Sequence, residues 1–172
     1  MFKKLTPDFR FSKFDDVTPD FLISIGIKGI LLDIDNTLEP YENAEPGEHV
    51  IAWLDSLRER GIKAAFVSNN GRERVELFNK KLGLVAYYKA KKPFKKNLIS
   101  ALSDIGCDPS CAALMGDQVF TDVLAAKNAS LTAILLPPIK DKRDLFTRFK
   151  RLCEKPILRK YERKKKKEEN KK

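Results

Sequence analysis

Short apolar runs alternate with amphipathic helical segments along most of this chain, and the alternation limits the folds open to it. The run that begins at Gly29 is apolar on successive residues until it meets Asp33, as in a strand buried on both faces of a parallel sheet. Further strands are predicted at residues 63–67, 84–88, 112–115 and 131–136, and helices at 19–26, 47–60, 72–82, 94–105, 119–127 and from 145 onward. This order of elements predicts an α/β fold, a doubly wound, Rossmann-like parallel sheet with flanking helices.

The length of 172 residues fits one domain flanked by two shorter segments. We expect an N-terminal arm (1–28) that packs on the core, a central domain (29–154) and a basic, mobile tail (155–172). The net charge is +10, and the tail contributes +7 of it through ten Lys or Arg and three Glu. With so few apolar residues, the tail cannot offset its ordering entropy. Two interpretations stay open for it: a solubilising segment, or contact with anionic membrane lipid or RNA.

The composition excludes several classes of protein. No apolar run reaches the roughly 18 residues of a membrane-spanning helix, and we expect no transmembrane segment. The basic N-terminus lacks the apolar stretch and cleavage site of a secretory signal, and three cysteines favour free thiols in a reducing compartment. We therefore expect a cytoplasmic protein, peripheral at the inner face of the membrane if the tail binds lipid. The single histidine, His49, excludes a multi-histidine metal site.

The predicted strands end in residues that carry carboxylate, hydroxyl, amide or ammonium groups. In chain order these residues are Asp33, Asp35, Ser68, Asn69, Lys92 and Asp117. Ligands of open α/β sheets bind at the carboxyl ends of the strands, so these side chains are expected to meet there. Two aspartates two positions apart repel one another in a small volume unless a cation lies between them. Oxygen ligands of this kind select a hard cation, and Mg²⁺ is the usual choice beside phosphate.

Each of these residues has a commoner explanation when it is taken alone. An aspartate after a strand is frequently a cap or turn residue, and Ser68 to Gly71 fits a simple turn. Lys92 belongs to a lysine-rich run, and Asp117 and Asp122 fit acids in the first turn of a helix. Their common place at one predicted sheet edge, each after an apolar strand, favours a functional site instead.

Four segments match, in order, the motifs of the haloacid dehalogenase (HAD) superfamily. Asp33–Leu38 (DIDNTL) resembles the first motif, and Val67–Asn69 (VSN) is similar to the second. Lys92-Pro93 resembles the third motif, and Gly116–Asp122 (GDQVFTD) the fourth. This set is similar to the subclass III-A phosphatases and, within them, to the YqeG-like group, which is related to phosphatidylglycerophosphate phosphatases. The resemblance spans about residues 28–137 and excludes the N-terminal arm and the tail.

The resemblance implies a role for each matching residue. Asp33 is the implied nucleophile, Asp35 the acid that protonates the leaving oxygen and then activates water, and Lys92 the group that neutralises charge on an aspartyl-phosphate. The implied Mg²⁺ ligands are Asp33, Asp35 through its backbone carbonyl, Asp117 and Asp122. The implied substrate-binding residues are Thr37, which also steadies Asp35, Ser68, Asn69 and Lys92.

Larger members of the superfamily insert a cap domain between the first and second motifs, or between the second and third. Here residues 38–63 hold only a loop and one helix, and residues 68–92 only a helix and a short strand, so no cap domain is expected. An open site suits a large or surface-held substrate. The sequence therefore predicts a Mg²⁺-dependent phosphomonoester hydrolase, with phosphatidylglycerophosphate as one candidate substrate. Alternatives are an RNA- or ribosome-associated binding protein on a phosphatase scaffold, a phosphatase of a soluble metabolite, and a phosphotransferase.

Overall fold

A six-stranded parallel sheet forms the centre of the computed structural model, which describes residues 2–140 and 145–169. The strands are β1 (Phe9–Arg10), β2 (Gly29–Leu32), β3 (Lys63–Val67), β4 (Val85–Tyr87), β5 (Ala112–Gly116) and β6 (Thr132–Leu135). Their order across the sheet is β1-β6-β5-β2-β3-β4, and every pair is parallel. From β2 the chain adds β3 and β4 on one side of the sheet, and then β5, β6 and β1 lie on the other side. At such a change of direction a crevice opens at the carboxyl ends of the strands, here β2, β3 and β5. This arrangement confirms the predicted doubly wound sheet.

Among the described residues, five α-helices connect the strands and a sixth follows the last strand. They are α1 (Pro19–Ser24), α2 (Glu48–Glu59), α3 (Arg72–Asn79), α4 (Lys96–Asp104), α5 (Leu124–Asn128) and α6 (Leu145–Glu169). As expected, Thr18 caps α1: its Oγ1 accepts a hydrogen bond from the Phe21 amide at 3.1 Å, and Pro19 occupies the first turn. None of the described helices combines the length and the apolar content that a bilayer-spanning segment needs.

Both faces of the sheet are packed by helices. Along β2, Ile30 and Leu32 belong to one buried cluster and Leu31 to the other, because successive side chains of a strand point to opposite faces. The first cluster includes Trp53 of α2, whose Nε1 donates to the Val17 carbonyl at 3.0 Å. With both faces covered, the strand ends are left as the place where polar side chains converge.

The predicted helix over residues 119–127 is divided in the structure. Val119–Val123 form a wide π-type turn, and α5 begins only at Leu124. The amide groups of Asp122 and Val123 both donate to the Gln118 carbonyl, at 2.9 and 3.2 Å. The wider turn places Asp122 beside the end of β5, which matters for the site.

Residues of the expected N-terminal arm lie in the buried core, and they also supply an edge strand that the sequence did not predict. β1 pairs with β6, and the Asp8 carboxylate accepts a hydrogen bond from the Ala133 amide at 2.7 Å. Phe14, Val17 and Leu22 lie in the same buried cluster as the central strands. The arm is therefore continuous with the core.

The expected boundary at Lys155 differs from the structure. Helix α6 continues through the basic segment to Glu169, and Glu154, Ile157 and Tyr161 on it are buried. These three positions, separated by three and four residues, share one face of a helix, so a buried stripe passes through the lysine-rich sequence. The Tyr161 hydroxyl donates to the Asp8 carbonyl at 3.4 Å. The expected mobility of residues 155–172 stays a prediction, and residues 170–172 lie outside the described residues.

Two truncations separate the packed part of α6 from its basic end. Ending the chain after Lys160 removes Tyr161 and its contacts, and we expect the free energy of unfolding to fall by about 1–3 kcal/mol. Ending it after Lys165 keeps that contact and is expected to change stability by less than about 0.5 kcal/mol. Urea denaturation of the two chains measures the difference. Equal stability of both would show that α6 contributes nothing beyond Lys160.

Candidate active site

Three neighbouring strands bring the predicted site residues to one edge of the sheet. Asp33 follows β2, Ser68 follows β3, and Asp117 follows β5. Because β2 lies between β3 and β5, the three side chains are neighbours although they are far apart in sequence. Lys92 reaches the same place from the loop after β4, and its side chain is buried.

Three carboxylates and one ammonium group form the centre of this edge. Asp33, Asp117 and Asp122 are buried, with one ligand oxygen from each lying within 4.8 Å of the others. The Nζ of Lys92 is 2.8 Å from Asp33 Oδ1 and 2.6 Å from Asp122 Oδ1. The structure therefore brings together four of the predicted site residues.

Burial and mutual repulsion shift the pKa of the groups in this cluster. Burial, and after it the nearby Asp122 and Asp117, raise the pKa of Asp33 to about 7 against the opposing effect of Lys92. Burial alone would lower the pKa of Lys92, but Asp122 and Asp33 outweigh it, and the net pKa lies above the usual lysine value. Lys92 is thus a permanent cation, whereas Asp33 is a carboxylate whose ionisation needs positive charge nearby.

The donor set fits a divalent metal ion. With Lys92 protonated and Asp33, Asp117 and Asp122 all ionised, the cluster carries a net charge of −2 in a buried place. Carboxylate oxygens within 4.8 Å of one another suit a hard cation such as Mg²⁺. Asp33, Asp117 and Asp122 are the residues that would hold it.

Asp35 lies apart from the three clustered carboxylates, in contacts that sequence reasoning did not anticipate. Its Oδ1 accepts a hydrogen bond from Arg74 Nε at 3.0 Å, and its Oδ2 accepts one from Asn70 Nδ2 at 3.0 Å. The Arg74 guanidinium is held in turn by the Ala44 carbonyl, at 2.9 Å from Nη1. Metal binding through the Asp35 backbone carbonyl stays a prediction.

The positions of Asn70 and Arg74 in the sequence give only a weak indication that they belong to the site. Asn70 directly follows the serine and asparagine of the second motif, and Arg74 comes four residues later, in the first turns of α3. Helix α3 begins at the carboxyl edge of the sheet, where the site lies. A charged residue on an amphipathic helix is nevertheless usually solvent-exposed, and nothing in the sequence links Arg74 to Asp35.

The amide of Asn69 holds the backbone of Lys92 on both sides. Its Oδ1 accepts from the Lys92 amide at 2.7 Å, and its Nδ2 donates to the Lys92 carbonyl at 3.0 Å. Asn69 thereby positions the lysine, which differs from the expected contact with phosphate. Ser68 Oγ accepts from the Asn70 amide at 3.1 Å, so its hydroxyl hydrogen is available to a ligand.

Thr37 does not steady Asp35 in the expected way. Its hydroxyl is buried and has no hydrogen-bond partner among the described residues. The two oxygens of Asp35 accept hydrogen bonds from Arg74 and Asn70 instead. A contact between Thr37 and substrate stays a prediction.

Gly116, at the end of β5, gives Asp122 the space it needs. A Cβ atom at position 116 would lie 2.3 Å from Asp122 Cγ. The Asp122 carboxylate is fixed there by two donors to its Oδ2, the backbone N–H of Gln118 at 3.0 Å and the Thr121 hydroxyl at 3.2 Å. The same loop is tied to α6, because Glu154 Oε1 accepts from the Val119 amide at 2.8 Å.

Gly116→Ala is expected to displace Asp122. The contact forces a movement of the loop, with a cost in stability of about 1–3 kcal/mol. The half-saturating Mg²⁺ concentration for phosphatase activity is expected to rise, since one carboxylate leaves the cluster. Gly71→Ala is the matched control, because a Cβ at Gly71 meets nothing within 4 Å. Unchanged stability and Mg²⁺ dependence in Gly116→Ala would contradict this account.

An open cleft of about 380 Å³ leads to the carboxylates. It is lined by Asp33, Asp35, Tyr41, Ser68, Asn69, Asn70 and Gln118. Within residues 2–140 and 145–169, no inserted domain covers this cleft, as expected from the short segments between the motifs.

Comparison with known proteins decides the family. Residues 26–136 match the family model described as haloacid dehalogenase-like hydrolase. The chain belongs to this family. It is 35% identical over 159 residues to the "Probable phosphatase YqeG" of Bacillus subtilis strain 168, with 92% of each chain covered. The family, the YqeG resemblance and the assignment as an enzyme are confirmed: the chain is a HAD phosphatase.

Solved structures agree with the fold of this HAD phosphatase. A HAD phosphatase from Thermococcus onnurineus superposes with a TM-score of 0.55 at 18% identity, covering 67% of this chain and 89% of the other. A HAD-superfamily hydrolase from Ehrlichia chaffeensis superposes with a TM-score of 0.54 at 15% identity, covering 78% and 97%. Both matches support the HAD-like sheet described above.

Proposed function

We propose that this phosphatase hydrolyses phosphate monoesters through an aspartyl-phosphate formed on Asp33. The observation that carries the proposal is the buried position of Asp33, 2.8 Å from Lys92 Nζ and beside Asp117 and Asp122. A carboxylate is ionised near neutral pH once a cation offsets its burial, and it can then attack phosphorus directly. Lys92 supplies part of that positive charge.

The proposed reaction has two displacements at phosphorus. An Asp33 oxygen forms a bond to phosphorus while the ester P–O bond breaks, and Asp35, which enters this step as the protonated carboxylic acid, gives its proton to the leaving oxygen. Asp35 then takes a proton from water, whose oxygen displaces Asp33 and releases inorganic phosphate. To do this, one Asp35 oxygen leaves its contact with Arg74 or Asn70. Ser68 donates a hydrogen bond to the phosphoryl group, and Lys92 neutralises its charge.

The proposed cofactor is Mg²⁺, held by Asp33, Asp117 and Asp122. When bound, it draws charge from the phosphoryl oxygens and orients them for attack. The cluster supports this assignment because its three carboxylates are buried within 4.8 Å of one another and its donors are all oxygen. The chain's own part is to keep these carboxylates close, through the Asp122 contacts and the space over Gly116.

The proposed substrate class is a lipid phosphate, of which phosphatidylglycerophosphate is the candidate. The uncovered cleft admits a phosphate attached to a bilayer, and the excess of basic residues suits an anionic membrane. On this proposal the protein is cytoplasmic and peripheral at the inner face of the membrane, with the basic C-terminal segment as one contact. Turnover of a soluble metabolite and transfer of the phosphoryl group to an alcohol are the alternatives within the same chemistry.

Hydrolysis of p-nitrophenyl phosphate tests the chemistry independently of the natural substrate. We expect activity that is lost by at least about 100-fold in EDTA and restored by Mg²⁺, because three carboxylates without a cation repel the phosphate. A panel of lipid phosphates, sugar phosphates and nucleotides then tests the substrate. Undiminished activity in EDTA would contradict metal dependence, and absence of any turnover would favour a binding protein on a phosphatase scaffold.

A further inference from the structure

An exposed aromatic ring and several lysines lie on the segment that carries Lys92. Phe94, two residues after Lys92, is 72% exposed. Four exposed lysines surround it in the sequence: Lys89, Lys91, Lys95 and Lys96. In the described part of the chain, none of the four forms an ion pair. We call Phe94 and these four lysines the 89–96 face.

The 89–96 face is held firmly at the edge where the site opens. The Lys89 amide donates to the Asn70 carbonyl at 2.8 Å, and the Ala90 amide to the Ser68 carbonyl at 2.9 Å. On the other side, Asn128 Nδ2 donates to the Pro93 carbonyl at 3.1 Å. These bonds tie the segment to the loops that line the cleft. The N-terminus of α4, which begins at Lys96, adds positive potential to the same surface.

Acidic side chains on the loop that carries Tyr41 do not cancel this charge. Glu45 is paired with Lys81 at 2.5 Å, and Glu42 lies 3.8 Å from Lys140. Each of these acids is thus already matched by a lysine from another element. The lysines of the 89–96 face are left as net positive charge on a segment that is bonded to the cleft-lining residues Ser68 and Asn70.

The basic end of α6 lies at the opposite edge of the sheet. Helix α6 contacts Val119 through Glu154 at the carboxyl edge, and it meets Asp8, before β1, through Tyr161. Beyond Tyr161, the helix advances by about 1.5 Å per residue, further from the cleft. Charge at the end of α6 can tether the protein to an anionic surface, but it does not aim the cleft at that surface.

We propose that the 89–96 face docks on an anionic phospholipid bilayer, with Phe94 inserted at the interface and the four lysines on the headgroup phosphates. This inference rests on the proposed function, because it supplies the orientation in which the open cleft meets a phosphate at the bilayer surface. A lone aromatic ring favours the boundary between headgroups and acyl chains, and lysine stems extend there with their ammonium groups in water.

The aromatic residues around the cleft favour a bilayer over a nucleic-acid strand. Arg72 lies 5.8 Å from the centroid of the Tyr88 ring, and Arg74 lies 6.0 Å from that of Tyr41. Single-stranded RNA is bound by stacking successive bases on several open rings. Since an arginine already lies against each of Tyr41 and Tyr88, Phe94 is suited to insertion rather than to a row of stacked bases.

Tryptophan placed at Phe94 reports on this docking in the full-length protein. Phe94→Trp is compared with Ile23→Trp, a change at an exposed apolar residue near the amino edge of the sheet. The native Trp53 is buried and gives both variants the same background. Vesicles of phosphatidylcholine with phosphatidylglycerol, with and without brominated acyl chains, are the probe, and pure phosphatidylcholine vesicles are the control.

We expect the Phe94→Trp emission to shift to the blue and to be quenched by brominated chains in anionic vesicles only, while Ile23→Trp stays unchanged. Lys95→Glu is expected to lower vesicle partitioning at least about fivefold, since one lysine near an anionic surface contributes about 1 kcal/mol, whereas Lys28→Glu at the amino edge lowers it less. A response of Ile23→Trp alone, or of neither variant, overturns the inference. A response of Phe94→Trp to oligouridylate RNA but not to vesicles also overturns it.

Two assays keep this inference separate from the proposed function. Phe94→Ser and Lys95→Glu are expected to hydrolyse soluble p-nitrophenyl phosphate like the unaltered chain, and to lose at least about fivefold in turnover of phosphatidylglycerophosphate in vesicles. Loss on vesicles with full soluble activity supports docking by the 89–96 face. Equal turnover of vesicle substrate by both variants and the unaltered chain overturns docking and leaves the phosphatase intact. Vesicle insertion without any lipid-phosphate turnover overturns the proposed substrate and the orientation inferred from it.

Discussion

Replacing Asp33 with asparagine is expected to lower turnover of p-nitrophenyl phosphate by at least about 10³-fold, the scale of losing a nucleophile. The amide lacks the ionised oxygen that forms the bond to phosphorus, and Lys92 then faces a neutral group where it now contacts Asp33 at 2.8 Å. Steady-state kinetics at saturating Mg²⁺ give the measurement. Asp55→Asn is the matched control, because Asp55 is a surface residue paired only with Arg58.

The same variant is expected to be more stable than the natural protein when metal is absent and the pH is about 8. Burial raises the pKa of Asp33 to about 7 from 3.8, so the folded protein holds a proton that the unfolded chain has released between these values. The associated stabilisation is fully present below pH 3.8 and is lost as the pH rises through about 7. Asp33→Asn lacks this loss. Urea denaturation in EDTA at pH 5 and pH 8 measures it.

Two results would contradict the assignment of Asp33. Substantial turnover in Asp33→Asn would mean that another group attacks phosphorus. The second result is a difference in free energy of unfolding between variant and natural protein that is the same at pH 5 and pH 8. That result would mean that burial does not raise the pKa of Asp33 in the folded protein. Either result leaves the fold and the family unaffected, since neither depends on the ionisation of this residue.

The central sheet could be predicted from sequence because its strands are defined locally. β3 occupies the predicted residues 63–67, and β2 ends directly before Asp33, where the apolar run meets the acid. A strand buried on both faces has a continuous apolar pattern that few other elements share. The polar residues at the strand ends then meet through topology alone, so their convergence follows once a parallel sheet is expected.

The edge strand and the length of α6 could not be predicted because they depend on contacts between distant segments. β1 has two residues and is held by Asp8, whose partner Ala133 is 125 positions away. The buried side of α6 consists of a few residues within a lysine-rich sequence. Because the composition of that segment is so polar, the sequence taken locally indicates disorder rather than a packed helix. Both features become visible only when the two ends of the chain are placed together.

The partners of Asp35 were missed for a related reason. A sequence shows which residues can form a charged pair but not which of many candidates does, and this chain has 34 Lys and Arg. Arg74 reaches Asp35 because α3 begins at the carboxyl edge of β3, next to the loop after β2. Asn69 lines the cleft, and its side-chain amide holds the Lys92 backbone, which the sequence does not indicate.

Replacing Lys92 with methionine is expected to lower turnover by about 10²–10³-fold, the usual cost of losing one charge-stabilising donor. In the unaltered protein the Lys92 ammonium lies 2.8 Å from Asp33 and 2.6 Å from Asp122. Methionine keeps much of the buried volume but leaves these two carboxylates without their cation. Mg²⁺ affinity should be unchanged or higher, because a fixed positive charge beside the carboxylates opposes metal binding. The metal-free protein should lose about 3–5 kcal/mol of stability, as expected when one partner of a buried ion pair is removed.

Titrating activity with Mg²⁺ separates the two roles open to Lys92. Lys91→Met serves as the matched control, since the neighbouring Lys91 is exposed and outside the cluster. A fall in turnover at saturating Mg²⁺, with the half-saturating concentration unchanged or lower, identifies Lys92 as the group that neutralises the phosphoryl charge. A half-saturating concentration that rises as steeply as turnover falls would show instead that the lysine holds the carboxylates in place, and the charge-stabilising role would have to be given up.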